Sequence, residues 1–128
     1  MDEKEMKVLL KSQQGELDAV LMYNALSELV KDAHDAETFR QLASEEGHHA
    51  NVFKNLTKID NLKPKKTKAI VVPLLYRIIG KKKLYPIIAQ KEYDAEENYA
   101  PVVEKYPEVA SVQSDEHRHG DMVLGLLK

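Results

Sequence analysis

Two Glu-x-x-His words, Glu46-Gly47-His48-His49 and Glu116-His117-Arg118-His119, interrupt stretches whose apolar residues recur at helical spacing. On a helix, a residue and its third successor share a face about one turn apart, so each word can aim a carboxylate and an imidazole at one point. Earlier stretches each carry a lone glutamate within the apolar stripe, Glu16 and Glu92. A chain that turns four carboxylates inward must neutralise them, because an unpaired ionised group in a helical interior costs several kcal/mol. Two divalent cations do so, and the pattern predicts a ligand set of Glu16, Glu46, His49, Glu92, Glu116 and His119.

The register decides which acidic residues belong to the set. Charged residues make up 31% of the chain, so a glutamate near a histidine means little unless both lie on the buried stripe. Glu46 and His49 continue the line Phe39, Leu42, Ala43, Ala50, Phe53 and Leu56, whereas Glu45 and His48 share a face with Gln41 and Asn51 or Val52. Glu116 and His119 interrupt Val109, Val112, Val123 and Leu127, and His117 points away as a surface residue. Glu16 falls between Leu9 and Val20 or Tyr23, and Glu92 between Ile88 and Tyr99. Depth agrees with this selection. At about 1.5 Å per residue, Glu16 and Glu46 lie roughly 25 and 20 Å from a turn near Ala33, and Glu92 and Glu116 roughly 21 and 15 Å from one near Tyr106.

The periodicity predicts an all-α, four-helix bundle of two antiparallel hairpins joined by a long crossover that contains a short helix. Its helices are expected at about 2–31, 35–57, 69–80, 84–105 and 107–127, as one domain over 1–128. Asp35 is a candidate N-cap for the second helix. Pro86 fits the first turn of the third long helix, and Pro101 should kink it. Gly15 is a weak point in the first helix. A short internal repeat aligns Glu16-Leu17-Asp18-Ala19 and Tyr23 with Glu92-Tyr93-Asp94-Ala95 and Tyr99. Tyr23 and Tyr99, each seven residues after a lone glutamate, can hydrogen-bond the ligands or simply fill the core.

The formal charge of -2 and its mixed signs leave no field for nucleic acid, and the basic run Lys63 to Lys83 reads as a solvated crossover. The chain contains no cysteine, which excludes disulfides, thiolate metal sites and iron–sulfur or rubredoxin-type centres within it. Any electron donor is then an external molecule. No segment is apolar for the length of a membrane span, and Met1-Asp2-Glu3-Lys4-Glu5 does not read as a signal peptide, so a soluble cytoplasmic protein is expected. Exposed Ile70, Leu74 and Leu75 in the crossover suggest a homodimer.

The words Ala43-Ser44-Glu45-Glu46-Gly47-His48-His49-Ala50 and Ser114-Asp115-Glu116-His117-Arg118-His119, with Tyr99-Ala100-Pro101, resemble the rubrerythrin-type di-iron domain of the ferritin-like superfamily. The resemblance implies two Fe ions, with Mn or Zn possible on the same ligands. It implies Glu16 and Glu92 as terminal carboxylates, Glu46 and Glu116 as bridging carboxylates, and His49 and His119 as imidazole ligands. It implies an oxidoreductase that reduces H2O2 or O2 with oxidation of Fe(II), or else a non-catalytic iron-binding, storage or delivery protein. Two features depart from the pattern. Ala95 stands where such proteins carry a further glutamate, and the rubredoxin module is missing. The resemblance is therefore to single-domain relatives.

Overall fold

Both helices of the first hairpin begin on an aspartate. In the computed structural model, which describes residues 2–128, Asp2 Oδ1 accepts from the Glu5 backbone N at 2.8 Å and starts α1 (Glu3–Leu29). Asp32 Oδ1 accepts from the Asp35 N at 3.0 Å and starts α2 (Ala33–Thr57). The expected cap, Asp35, is thus corrected to Asp32. A cap must keep extended backbone while its side chain reaches an amide in the first turn; Asp32 does so, and Asp35 already lies within the turn. Lys58 closes α2 in the left-handed conformation at φ 63.

The crossover is lashed to α1 by amide and carboxylate side chains. Gln13 Nε2 donates to the Ile59 carbonyl at 2.7 Å and Gln14 Nε2 to the Lys63 carbonyl at 2.8 Å. The Lys65 N donates to Asp18 Oδ1 at 2.7 Å. These bonds satisfy backbone groups in a segment without regular structure and lead it to α3 (Thr67–Ile79). One face of α3, with Val72, Leu75, Tyr76 and Ile79, packs on the core, so Leu75, expected to be exposed, faces inward; Ile70, Leu74 and Ile78 on the other face are exposed.

A single residue, Gly80, separates α3 from α4 (Lys81–Asn98), and its φ of 78 is where a β-carbon would be strained. The third long helix therefore begins three residues before the expected Leu84, with its first turn closed by Leu84 N on the Gly80 carbonyl at 3.1 Å. Pro86 lies inside α4 rather than in its first turn. Near Pro101 the helix breaks outright at Tyr99, and a short α5 (Ala100–Val103) follows before α6 (Pro107–Gly125). Proline offers no amide to the preceding turn, which accounts for the break.

Buried side chains form two apolar clusters. One gathers Tyr23, Leu26, Phe39, Leu42, Leu84, Tyr85, Ile88 and Val123; the other gathers Leu9, Phe53, Tyr99, Val102, Val109 and Val112. Along α2 the buried residues run Phe39, Leu42, Glu46, His49, Phe53, alternating steps of three and four. Along α1 they include Leu9, Glu16 and Tyr23, spaced by seven. In both helices the polar residues fall between members of the two clusters, so the bundle holds a polar layer between two apolar ones. No described helix is long and apolar enough to cross a membrane.

Candidate metal centre

All six residues singled out by the stripes meet in that layer. Glu16, Glu46, His49, Glu92, Glu116 and His119 are each at most 5% exposed. They form two groups of four, Glu16, Glu46, His49 and Glu116, and Glu46, Glu92, Glu116 and His119, each with one donor atom per residue within 4.8 Å of the others. Glu46 and Glu116 belong to both groups. Each hairpin supplies three residues, and each group borrows its fourth from the opposite hairpin.

The imidazoles point their Nδ1 atoms inward. His49 Nδ1 lies 2.9 Å from Glu116, 3.0 Å from Glu46 and 3.4 Å from Glu16. His119 Nδ1 lies 3.2 Å from Glu46 and 3.6 Å from Glu92. The two rings are stacked with centroids 5.5 Å apart. Their Nε2 atoms face outward to carboxylates of the opposite helix: His49 to Asp115 at 2.8 Å and His119 to Glu45 at 2.9 Å. A proton on Nε2 satisfies that outer bond and leaves the Nδ1 lone pair for the interior once Nδ1 is deprotonated. Arg118 spans the outer pair, donating to Asp115 Oδ1 at 3.1 Å and to Glu45.

The tyrosines cross between hairpins in the same way. Tyr23 on α1 donates to Glu92 Oε1 on α4, and Tyr99 donates to Glu16 Oε1 at 2.5 Å. In each case the outer carboxylate oxygen is held and the other is left over. Glu16 Oε2, Glu92 Oε2, Glu116 Oε1 and His119 Nδ1 are buried without a hydrogen-bond partner, and all four converge on the cluster. Buried polar atoms are nearly always paired, so four orphans on one point are what a cation site requires. Hard oxygen and borderline nitrogen donors suit iron, manganese or zinc.

Electrostatics record the same crowding. Burial, then repulsion from Glu46, pushes the Glu16 carboxyl up to about 8. Burial likewise pushes Glu116 up to about 12, with Glu16, Glu46 and Glu92 adding to it against the His49 contact. Glu46 feels the same burial, but the imidazoles of His119 and His49 beside it outweigh that and bring the group down to about 2. Burial alone would depress His119, yet Glu46 and Glu92 raise it to about 10; His49 is raised further by Glu116, Glu16 and Glu46. Without cations, the cluster balances its negative charge with protons.

Between α1 and α4 the cluster faces a groove of about 840 Å³ whose floor includes Glu16, Glu46, Glu92 and Glu116. Ser12, Gly15 and Ala19 line it from α1, Val72 and Leu75 from α3, and Ile88, Lys91 and Ala95 from α4. Small side chains on α1 and the short Ala95 side chain widen it.

His48 and His117 are exposed, as the stripe register requires. Glu45, Asp115 and Arg118 were not singled out by the stripe. The two acids carried a signal, because one immediately precedes the glutamate of each Glu-x-x-His word, in Glu45-Glu46 and Asp115-Glu116.

Two helical hairpins joined by a long crossover, with a buried carboxylate–imidazole cluster at their centre, make this an all-α bundle of the ferritin-like class. The rubrerythrin family model matches residues 7–127, nearly the whole chain, and the protein belongs to that family. No curated protein and no solved structure matches it.

Proposed function

We propose that the cluster is a dinuclear metal centre and that the protein is a non-haem di-iron oxidoreductase, reducing hydrogen peroxide or dioxygen with oxidation of Fe(II). The observation that carries this reading is the sharing of Glu46 and Glu116 between two four-residue groups whose unpaired atoms converge. Glu16 with His49 and Glu92 with His119 would each hold one ion, and both ions would share Glu46 and Glu116. Two divalent ions match the charge of the four carboxylates. A reduced di-iron pair supplies two electrons, the number that converts peroxide to water.

The residues of the chain do the rest. Tyr23 and Tyr99 fix the rotamers of Glu92 and Glu16, so their free oxygens stay aimed inward. Asp115 and Glu45 hold the imidazole Nε2 protons and keep Nδ1 directed at the centre. The groove admits a small oxidant past Ser12, Gly15 and Ala95 to the floor of carboxylates. The apolar clusters on either side exclude bulk water and strengthen each of these contacts. Electrons return from an external donor, a soluble cytoplasmic setting fits this chemistry, and the exposed face of α3 is where a homodimer would form.

Ala95 favours a second reading, a metal-carrying or storage role without turnover, because at that point of the groove wall, between Asp94 and Glu97, it presents a methyl group that cannot assist proton transfer to peroxide. Mixing anaerobically reduced, iron-loaded protein with hydrogen peroxide or dioxygen tests the choice. Reoxidation with turnover in the presence of an external donor is expected; iron that stays ferrous with both oxidants overturns the oxidoreductase reading.

A further inference from the structure

Four aromatic rings lead away from the cluster. Tyr23, whose hydroxyl is on Glu92, stacks on Phe39 with centroids 5.8 Å apart and an interplanar angle of 14°. Phe39 meets Tyr85 edge-on at 5.4 Å, and Tyr85 stacks on Tyr76 at 6.4 Å. Tyr23, Phe39 and Tyr85 are at most 1% exposed, while Tyr76 on α3 is half-buried. The series runs from the polar layer, through the larger apolar cluster, to the outside of the bundle.

Tyr85 carries a partner that packing does not need. Its hydroxyl donates to Asp35 Oδ2 at 2.8 Å, and Asp35 is itself only 3% exposed. Lys81 Nζ approaches the same oxygen at 3.4 Å and offsets its charge. Burial and this carboxylate hold the Tyr85 phenol well above its usual range, so the ring is neutral at physiological pH. A neutral phenol hydrogen-bonded to a carboxylate can lose an electron and hand over its proton in one event, avoiding a buried phenol cation. Tyr23 has the same arrangement with Glu92.

We propose that Tyr23, Phe39, Tyr85 and Tyr76 form a radical-transfer path from the cluster to the surface of α3, with Asp35 as the proton acceptor of Tyr85. The source of the oxidising equivalent rests on the peroxide reading above. Reduction of hydrogen peroxide to two waters takes two electrons and two protons. When the centre can give only one electron, the O–O bond breaks with the second electron drawn from Tyr23. The Tyr23 proton moves to its carboxylate partner, and solvent supplies both protons that the two waters take up. Tyr85 then gives an electron across Phe39 and its own proton to Asp35, and Tyr23 recovers its hydrogen. Tyr76 passes the hole to a reductant in solution. The path carries a stranded oxidising equivalent away from the ligands.

The absence of cysteine allows a direct test, since Arg77→Cys, on the exposed face beside Tyr76, gives a unique attachment point for a ruthenium photo-oxidant. Flash oxidation of the metal-free labelled protein is expected to produce a persistent tyrosyl absorption, lost with Tyr85→Phe and shortened in lifetime with Asp35→Asn, which keeps a hydrogen-bond acceptor but is a poor base. An unchanged signal in both variants overturns the path. In a second arm, iron-loaded protein holding one reducing equivalent is mixed with hydrogen peroxide, and oxidised Tyr76 is sought by peptide mass spectrometry. Modification in the parent protein and its loss with Tyr85→Phe is expected. Iron oxidation with Tyr76 untouched overturns the path while leaving the oxidoreductase reading intact. A flash signal with no iron oxidation overturns the centre as the source of the hole, together with that reading.

Discussion

Tyr99 reaches across the bundle from the second hairpin to hold Glu16 of the first, its hydroxyl 2.5 Å from Oε1. Outer contacts of this kind typically change metal affinity by about 10–100-fold when removed. Tyr99→Phe keeps the ring packed on Phe53 and removes only the hydroxyl. Its manganese affinity, measured by chelator competition, should fall within that range with little change in helix content. An unchanged affinity would mean that the hydroxyl only fills space.

Ion binding should reverse the pH dependence of stability. Glu16 has its folded pKa raised to about 8, so folding takes up protons above the ordinary carboxylate value of 4.5 and stability falls as pH rises toward 8. His119, raised to about 10, adds stability that is complete below 6.5 and is lost as pH rises through 10. Glu46, lowered to about 2, acts at the other end, with its contribution lost as pH falls from 4.5 toward 2. Chelator-treated protein should therefore lose thermal stability from about pH 5 to 9, and manganese-saturated protein should gain, because binding requires deprotonated ligands.

Near neutral pH the gain has a definite size. Free ion at about 100 times its dissociation constant stabilises the folded state by about 2.7 kcal/mol per site, a rise in melting temperature of roughly 10 °C for a domain of this length. Differential scanning calorimetry with and without the ion measures it. Glu46→Ala together with His49→Ala should abolish the shift; a shift that survives would place the bound ion elsewhere.

Two glycines should respond oppositely to alanine. A Cβ at Gly120 would stand 2.6 Å from Tyr93 Cζ, where α4 and α6 approach. The helix-propensity gain is about 1 kcal/mol and overpacking costs about 1–3, so Gly120→Ala should destabilise. A Cβ at Gly15 meets nothing within 4 Å, and Gly15→Ala should stabilise by about 0.5–1 kcal/mol. Urea titrations of both variants check the contrast.

Ala95 offers a gain-of-function test. A glutamate there would enter the groove wall beside the floor carboxylates. Reoxidation of iron-loaded Ala95→Glu by peroxide should accelerate on the order of tenfold or more, within what a positioned proton-transfer group supplies. Stopped-flow absorbance reads it directly. No acceleration would remove the missing carboxylate as the limit on turnover.

What could be read from the sequence was what helical periodicity controls. The alternation through Phe39, Leu42, Glu46, His49 and Phe53 separates Glu46 from Glu45 without any knowledge of neighbouring helices, because one residue turns the side chain by about 100°. The start of α4 was misplaced because it depends on Gly80 adopting a positive φ, which hydrophobic patterning does not register. Glu45 and Asp115 went unseen for a different reason. Their partners lie on the opposite helix, and such contacts follow from how α2 and α6 align, not from the face of either one. Tyr23 and Tyr99 were marked by position, yet their exchange of partners between halves appears only once the hairpins are docked.

The division of Glu46 and Glu116 between both groups has a consequence for occupancy. On the dinuclear reading, an ion entering beside Glu16 and His49 would immobilise Glu46 and Glu116, which its neighbour also uses, and displace protons from the crowded carboxyls. The second ion meets donors already immobilised by the first. Singly loaded protein should then be scarce at any ion concentration, with the population passing from bare to doubly filled and little between.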